Sequence, residues 1–551
     1  MKRRAAAAVS VVLFVITVTL YCGAASSSNG GRQTSPRSRP PGRNRSYPTD
    51  VLTNHYNNFR QGATPYETRL TLRNVNSALF GKIGFLPVDG FVIAQPLYVN
   101  KQFIDGRLNN TLYVVTENDS VYAFGADSGR LFWKVSVLGP GETPSDDRGC
   151  VLISPNIGIS GTPVIDRGAG RDGAIYFVAM TKDSSGHYHQ RLHALDLASG
   201  AELFGGPAEI QATYPGTGDG SQNGQVIFDP GQYLQRAGIL QYGDTLYIAF
   251  TSHCDIRPYT SWIMAYSTRT LEQTSVINIT PNGNEGGIWM GGAGLAADSS
   301  GNIFLTTGNG TFDTTLDSDG FPMYGDYGNA FVKLSTSGGR LQVVDYFTMY
   351  DTVQYSDADM DLGAGGVTLL PDIYDDSGQV HHLAVGAGKD RNLYVVDRDN
   401  MGKFNPNNDD AIYQEIRGAF SGRVFCTPVY FNNTLYYNEA RGTLKAYAIS
   451  NAKLPTTPTS QTANTFAYRG TMPIISSNQG SNAIVWAVDN STPAALHAYD
   501  ATDLTHELYN SNQVGSRDRF GAGNKFVTPV VANGKVFLGM LNGVAIFGLL
   551  R

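Results

Sequence analysis

Asp357, Asp359 and Asp361 alternate along "DADMDLGAGG", and carboxylates at such spacing suit either a hard cation held by several oxygens or a solvated acidic loop. An EF-hand is excluded, because Thr368 stands where that loop would place its bidentate Glu. Asn309, in "IFLTTGNGTFD", has three readings: the tip of a strand-to-strand turn, a glycan acceptor in Asn309-Gly310-Thr311, or a ligand. A second acidic loop starts at Asp313. His187-Tyr188-His189 and His381-His382 lack zinc-protease spacing. His253-Cys254-Asp255 invites a thiol-nucleophile reading, but adjacent residues in a strand face opposite ways. Neither a Gly-x-Ser-x-Gly elbow nor a phosphate-binding loop occurs, and "GAGK" is followed by Asp390. Aromatic residues, including 30 Tyr with Trp262 and Trp289 near long insertions, suit a sugar-binding face or packing between sheets.

The elements that must position these groups are repeats. "LYVVTENDSVYAFGADSGRLFWKVSV", Leu112 to Val137, reads as strand, polar turn, strand, turn, strand. Seven further copies follow, with second strands anchored at Ile175, Leu246, Ile303, Leu383, Leu435, Ile484 and Val536. Each is preceded by a strand ending in Pro or a small residue, as in "GTPVID", "CTPVY" and "VTPVV". Short apolar runs bounded by Gly, Asp and Asn predict four-stranded antiparallel blades, with insertions in units two to five. Eight blades arranged radially make an all-β, eight-bladed propeller spanning residues 51–551. The last unit lacks a fourth strand, and "FGKIGFLPV", Phe80 to Val88, is expected to supply it and close the ring.

Met1-Lys2-Arg3-Arg4, an apolar run from Ala5 to Tyr21 and Gly23-Ala24-Ala25 predict a secretory signal over residues 1–25, with a retained anchor as the alternative. Residues 26–50, rich in Ser, Pro and Arg, read as a flexible linker. Without the signal and the five linker arginines, the formal charge moves from −6 to about −14, which argues against nucleic acid as a partner. The expected product is a secreted monomer with no membrane span after cleavage. In an oxidising compartment Cys150 and Cys254, both in polar loop-like stretches, are the expected disulfide, and Cys426 in "RVFCTPVY" reads as core. Glycan acceptors are Asn44, Asn109, Asn118, Asn278, Asn432 and Asn490, besides Asn309.

The "AFGADSGRLFW" run of Ala123 to Trp133, with weaker copies at Ala194 to Phe204 and Ala498 to Leu508, resembles the pyrroloquinoline-quinone (PQQ) enzyme repeat of the quinoprotein alcohol dehydrogenases. The resemblance spans the propeller. It implies oxidation of an alcohol or sugar, PQQ and calcium as cofactors, and an external electron acceptor, since no Cys-x-x-Cys-His haem motif is present. It maps a calcium-binding asparagine onto Asn309. The catalytic base falls on Asp361, with Asp359 second, and Asp361 also lies at the metal. The quinone-contacting basic residue is Lys389 or Arg391, in "GAGKDRNLYVVDRDN". The family's calcium-binding Glu has no counterpart in "FVAMTKDSSGHYHQ", which offers Lys182 and Asp183, and its paired adjacent cysteines are absent. The other reading is a non-catalytic extracellular propeller binding glycan or protein through its loops. Polysaccharide cleavage has only the clustered acids behind it.

Overall fold

A computed structural model describes residues 46–550. The signal segment, Asn44 and linker residues 26–45 lie outside the described residues. Each repeat folds as a four-stranded antiparallel blade, and all eight anchors fall in second strands. Blade 1 is Leu97–Ile104, Arg107–Val115, Ser120–Gly125 and Leu131–Ser136. Blade 4 is Ala296–Ala297, Ile303–Thr306, Phe331–Ser335 and Gln342–Phe347. The last blade is completed from the other end of the sequence. Phe80–Pro87 pairs antiparallel with Gly543–Leu549, Phe80 opposite Leu549 and Pro87 opposite Gly543. Phe80–Pro87 is thereby the outermost strand of the last blade and covers the edge that Gly543–Leu549 would otherwise expose.

The innermost strands are short because Pro opens several of them rather than ending a preceding one. Pro163, Pro428 and Pro529 stand immediately before Val164–Asp166, Val429–Phe431 and Val530–Ala532, where a missing N–H costs no ladder bond. The "ALDLASG" turn works locally: Asp196 Oδ1 accepts from the Ala198 and Ser199 amides, and Gly200 turns back at φ +72°. A Cβ there would stand 2.9 Å from the Trp133 ring, so this glycine also lets neighbouring blades close up.

The core is a ring of interfaces between blades. One cluster joins Tyr98, Leu112 and Phe124 of blade 1 to Val530, Phe537 and Val544 of blade 8, and another joins Tyr113, Val115 and Ala123 to Ile165, Ile175 and Phe177 of blade 2. Tyrosines span these seams: Tyr113 donates to Leu197 O at 2.7 Å, Tyr176 to Thr268 O at 2.9 Å and Tyr436 to Ala501 O at 2.7 Å. Trp262 and Trp486 are wholly buried. Most of the aromatic content is thereby absorbed by interblade packing, and Trp262 lines no sugar-binding face.

Inside the ring lies a segment that carries no repeat signal. Residues 51–64 run along the innermost strands and bond to every blade in turn. Val51 exchanges backbone bonds with Tyr98, Ile165 donates to Leu52, Asn58 bonds both Gln241 and Ala297, and Leu369 donates to Phe59. Tyr430 donates to Gln61, Ile475 to Gly62, and Val531 to the Tyr56 hydroxyl. Arg60, 0% exposed, donates to Leu295 O, Thr53 Oγ1 and Asn54 O with no carboxylate beside it, and burial lowers its pKa to about 9.

Candidate functional site

The chain approaches each innermost strand from one end of the ring, and at the same end the second and third strands of each blade are joined. Residues just ahead of the innermost strands therefore line one mouth of the channel, together with residues just after the second strands. A cavity of about 250 Å³ opens there. Trp289, Asp359, Asp361, Arg423 and Phe425 come from the first set, and Cys254, Asp255 and Lys389 from the second.

Asp359 and Asp361 sit in the connection between blades 4 and 5. The sequence suggests a plain acidic loop, but Thr352–Asp357 forms a short α-helix, Asp359 turns at φ +55°, and Leu362–Ala364 makes a 3-10 turn. Gly363 is pressed against blade 4, where a Cβ would fall 2.2 Å from Thr307 C, and Leu362 N donates to Asn329 Oδ1 at 2.8 Å. These contacts bring Asp361 beside the loop bearing Asn309. The Lys389 amide donates to Asp361 O at 2.9 Å, which fixes the blade 5 loop in turn.

The side chains converge. Lys389 Nζ is 2.7 Å from Asp361 Oδ1 and also contacts Asp359. Arg423 donates to Asp359 Oδ2 at 2.8 Å, and Asn309 Nδ2 to Asp359 Oδ1 at 3.1 Å. Asp361 is 2% exposed; burial raises its pKa above the usual carboxylate value even beside Lys389. Burial also pushes Asp359 upward, but its bonds to Lys389, Arg423 and Asn309 outweigh this and hold it below the usual value. The Lys389 ammonium is held protonated by both carboxylates against its own burial. The two aspartates thus have different capacities: Asp361 is the better proton acceptor, and Asp359 is a strapped anion that orients two cations.

Of the two basic residues in "GAGKDRN", only Lys389 reaches the site. Arg391 follows a sharp turn at φ +71°, is exposed, and does not line the cavity. Lys182 pairs with Asp146 at 2.7 Å and Asp183 accepts the His187 amide, so neither replaces the absent Glu. Two oxygens from Asn309 and Asp361 do not make a calcium site. The Asn309 amide turns its NH2 toward Asp359, the Lys389 ammonium occupies the position between the two carboxylates, and no cluster of three or more potential His, Cys, Asp or Glu ligands occurs among the described residues. The Asn309 Oδ1 atom is nonetheless buried with no partner.

A disulfide joins Cys150 to Cys254 and pins the loop before blade 2 over the cavity, where Leu152 and Cys254 form part of its wall. This removes the thiol-nucleophile reading, and burial holds the adjacent His253 neutral with a pKa near 4. Cys426 is buried, with its thiol pushed up to about 12 by burial. Among the sequons, Asn278 is a correction: it is 2% exposed and its amide donates to Thr260 Oγ1 at 2.7 Å. The Asn118 amide is likewise turned inward, onto Asp89 O. Asn109 and Asn490 are half-buried, and Asn432 is exposed.

Sequence reasoning missed Arg236, Arg423, Phe425, Arg469 and Phe526, which come from four separate connections, Arg423 and Phe425 sharing one, and have in common only their place ahead of an innermost strand. It also missed Glu117, buried at the end of blade 1's second strand; burial raises its pKa to about 7, and it accepts Gly158 N and Ser160 Oγ at 2.8 Å each.

No family model matches the sequence, and no curated protein matches it. Solved structures do. A quinohemoprotein alcohol dehydrogenase from Comamonas testosteroni is similar with a TM-score of 0.58 at 13% identity, over 91% of this chain and 80% of that one. The Pseudomonas putida quinohemoprotein alcohol dehydrogenase ADHIIG gives 0.56 at 13%, over 92% and 81%. A europium-containing methanol dehydrogenase gives 0.56 at 11%, over 91% and 98%. The chain has the eight-bladed propeller fold of the quinoprotein dehydrogenases.

Proposed function

We propose that the protein is a secreted oxidoreductase of the quinoprotein type, oxidising an alcohol at the channel mouth and passing electrons to an external acceptor. The observation that carries this reading is the convergence of Asp361, Lys389 and Asn309, from three separate loops, beside Trp289 and the Cys150–Cys254 disulfide. The residues present suit a planar polycarboxylate quinone: Trp289 offers a flat apolar face, and Lys389 and Arg423, fixed by Asp359, bring positive charge to the same space. When bound, such a quinone would supply the two-electron oxidant.

The chain's own part is acid–base and positional. Asp361, buried and poised above the ordinary carboxylate range, accepts the alcohol proton. Lys389 stabilises the resulting negative charge and keeps Asp361 ionised before substrate arrives. Asp359 holds Lys389 and Arg423 in place without competing for the proton. No step is assigned to calcium. The test is titration of the purified protein with PQQ, followed by its absorption spectrum, and then dye-linked oxidation of benzyl alcohol. Asp361→Asn should retain quinone binding and lose turnover by about a hundredfold or more. Absence of quinone binding at micromolar concentration defeats the reading.

A further inference from the structure

One wall of the cavity has a charge imbalance that the proposed proton transfer does not use. Arg236 is 4% exposed and lines the cavity; among the described residues it donates one hydrogen bond, to Ser160 O at 3.3 Å, and its guanidinium lies 5.7 Å from the Phe526 ring. Arg469 rests over the rings of Phe425, Tyr468 and Phe526 at 5.7, 5.1 and 5.5 Å. Behind this wall Lys525, next to the lining residue Phe526, donates to O of the lining residue Leu152 at 3.3 Å. Among the described residues none of the three has a carboxylate within ion-pair distance. Burial depresses all three, Arg236 to about 10, and Arg469 depresses Lys525 further. The nearest acid in electrostatic contact, Glu117, is itself drawn toward neutrality by burial.

Uncompensated cations brought together on aromatic walls leave their donors to be satisfied by something that enters. Asp361 and Lys389 line the same cavity, so it holds a proton-accepting group together with unpaired cations that suit an anion.

We propose that Arg236, Arg469 and Lys525 form an anion subsite that selects an alcohol bearing a carboxylate at the end remote from its hydroxyl. Turnover of that alcohol rests on the oxidoreductase reading; the anion subsite does not. A carboxylate could also be the quinone's own, and the experiment separates the two sources.

Binding of 4-(hydroxymethyl)benzoate and of benzyl alcohol is measured calorimetrically on the full chain, with and without PQQ. The acid should bind at least about tenfold tighter than the neutral alcohol, with a preference that shrinks as salt rises. Arg469→Gln and Lys525→Gln, both less buried than Arg236, should each cut that preference about tenfold; their melting temperatures report whether they fold. Equal affinity for the two alcohols overturns the proposal. So does a preference that survives both substitutions while PQQ binding weakens, since the cations would then serve the quinone. If PQQ never binds but the acid is still preferred and the variants abolish the preference, the anion subsite stands and the oxidoreductase reading falls.

Discussion

Replacing Lys389 by Met tests whether this ammonium is the counter-charge that makes a buried carboxylate tolerable. Lys389 lies 2.7 Å from Asp361, and Asp361 is 2% exposed, so the substitution strands a charge in the interior. Breaking a buried pair from one side costs about 3–5 kcal/mol; Asp359, half-exposed and still bonded to Arg423, adds little. With an unfolding entropy of about 2.1 cal/mol/K per residue, a propeller of this size should lose roughly 3–5 °C in melting temperature near pH 7. The sign with pH follows from Asp361. Its folded pKa is already raised by burial, and losing Lys389 raises it further. The stranded-charge penalty is therefore absent below the unfolded carboxylate value near 4 and grows as pH rises from there toward the folded value. Differential scanning calorimetry from pH 4 to 8 measures this directly. Lys389→Met/Asp361→Asn, which removes both charges, should recover most of the loss. A Lys389→Met variant with an unchanged melting temperature, or a loss that is independent of pH and unrescued by Asp361→Asn, would refute the reasoning.

Glu117 makes a second pH prediction: its folded pKa of about 7 lies above the unfolded value, so the wild type should lose stability between about pH 4 and 7. Glu117→Gln should then exceed the wild-type melting temperature at pH 8, by less at pH 5 and not at all at pH 4. Cys150→Ser/Cys254→Ser opens a loop closed across 104 residues and should destabilise by about 5 kcal/mol on the chain-entropy account, read as a melting shift of a few degrees. In material secreted from eukaryotic cells, glycopeptide mass spectrometry should find occupancy at exposed Asn432 and none at Asn278 in folded protein. A glycan on Asn309 would remove its amide from Asp359 and contradict the described site.

The architecture was legible because periodicity and turn chemistry are local. Gly129 and Gly200 take the left-handed turns that their sequence runs call for, and the unpaired "FGKIGFLP" strand had one place to go. Asp361 and Lys389 were legible through resemblance alone, since physical contact between them depends on Gly363 packing against Thr307, a tertiary fact. The choice of Lys389 over Arg391 turned on a positive φ that no side-chain pattern announces. Arg236, Arg423 and Arg469 meet only because a closed ring brings distant loops to one mouth. Residues 51–64 left no signal at all: they bind through backbone and scattered polar groups, with neither a period of two nor an apolar face.

That inner segment also sets an order of events. A ribosome makes residues 51–64 and the closing strand first, yet their partners reach as far as Val531 and Leu549. The earliest stretch must wait, unseated, while some 470 residues emerge behind it, about half a minute or more at ordinary elongation rates. The ring can be completed only after the last blade has emerged, so any factor that holds the nascent chain has to guard residues 51–64 longest.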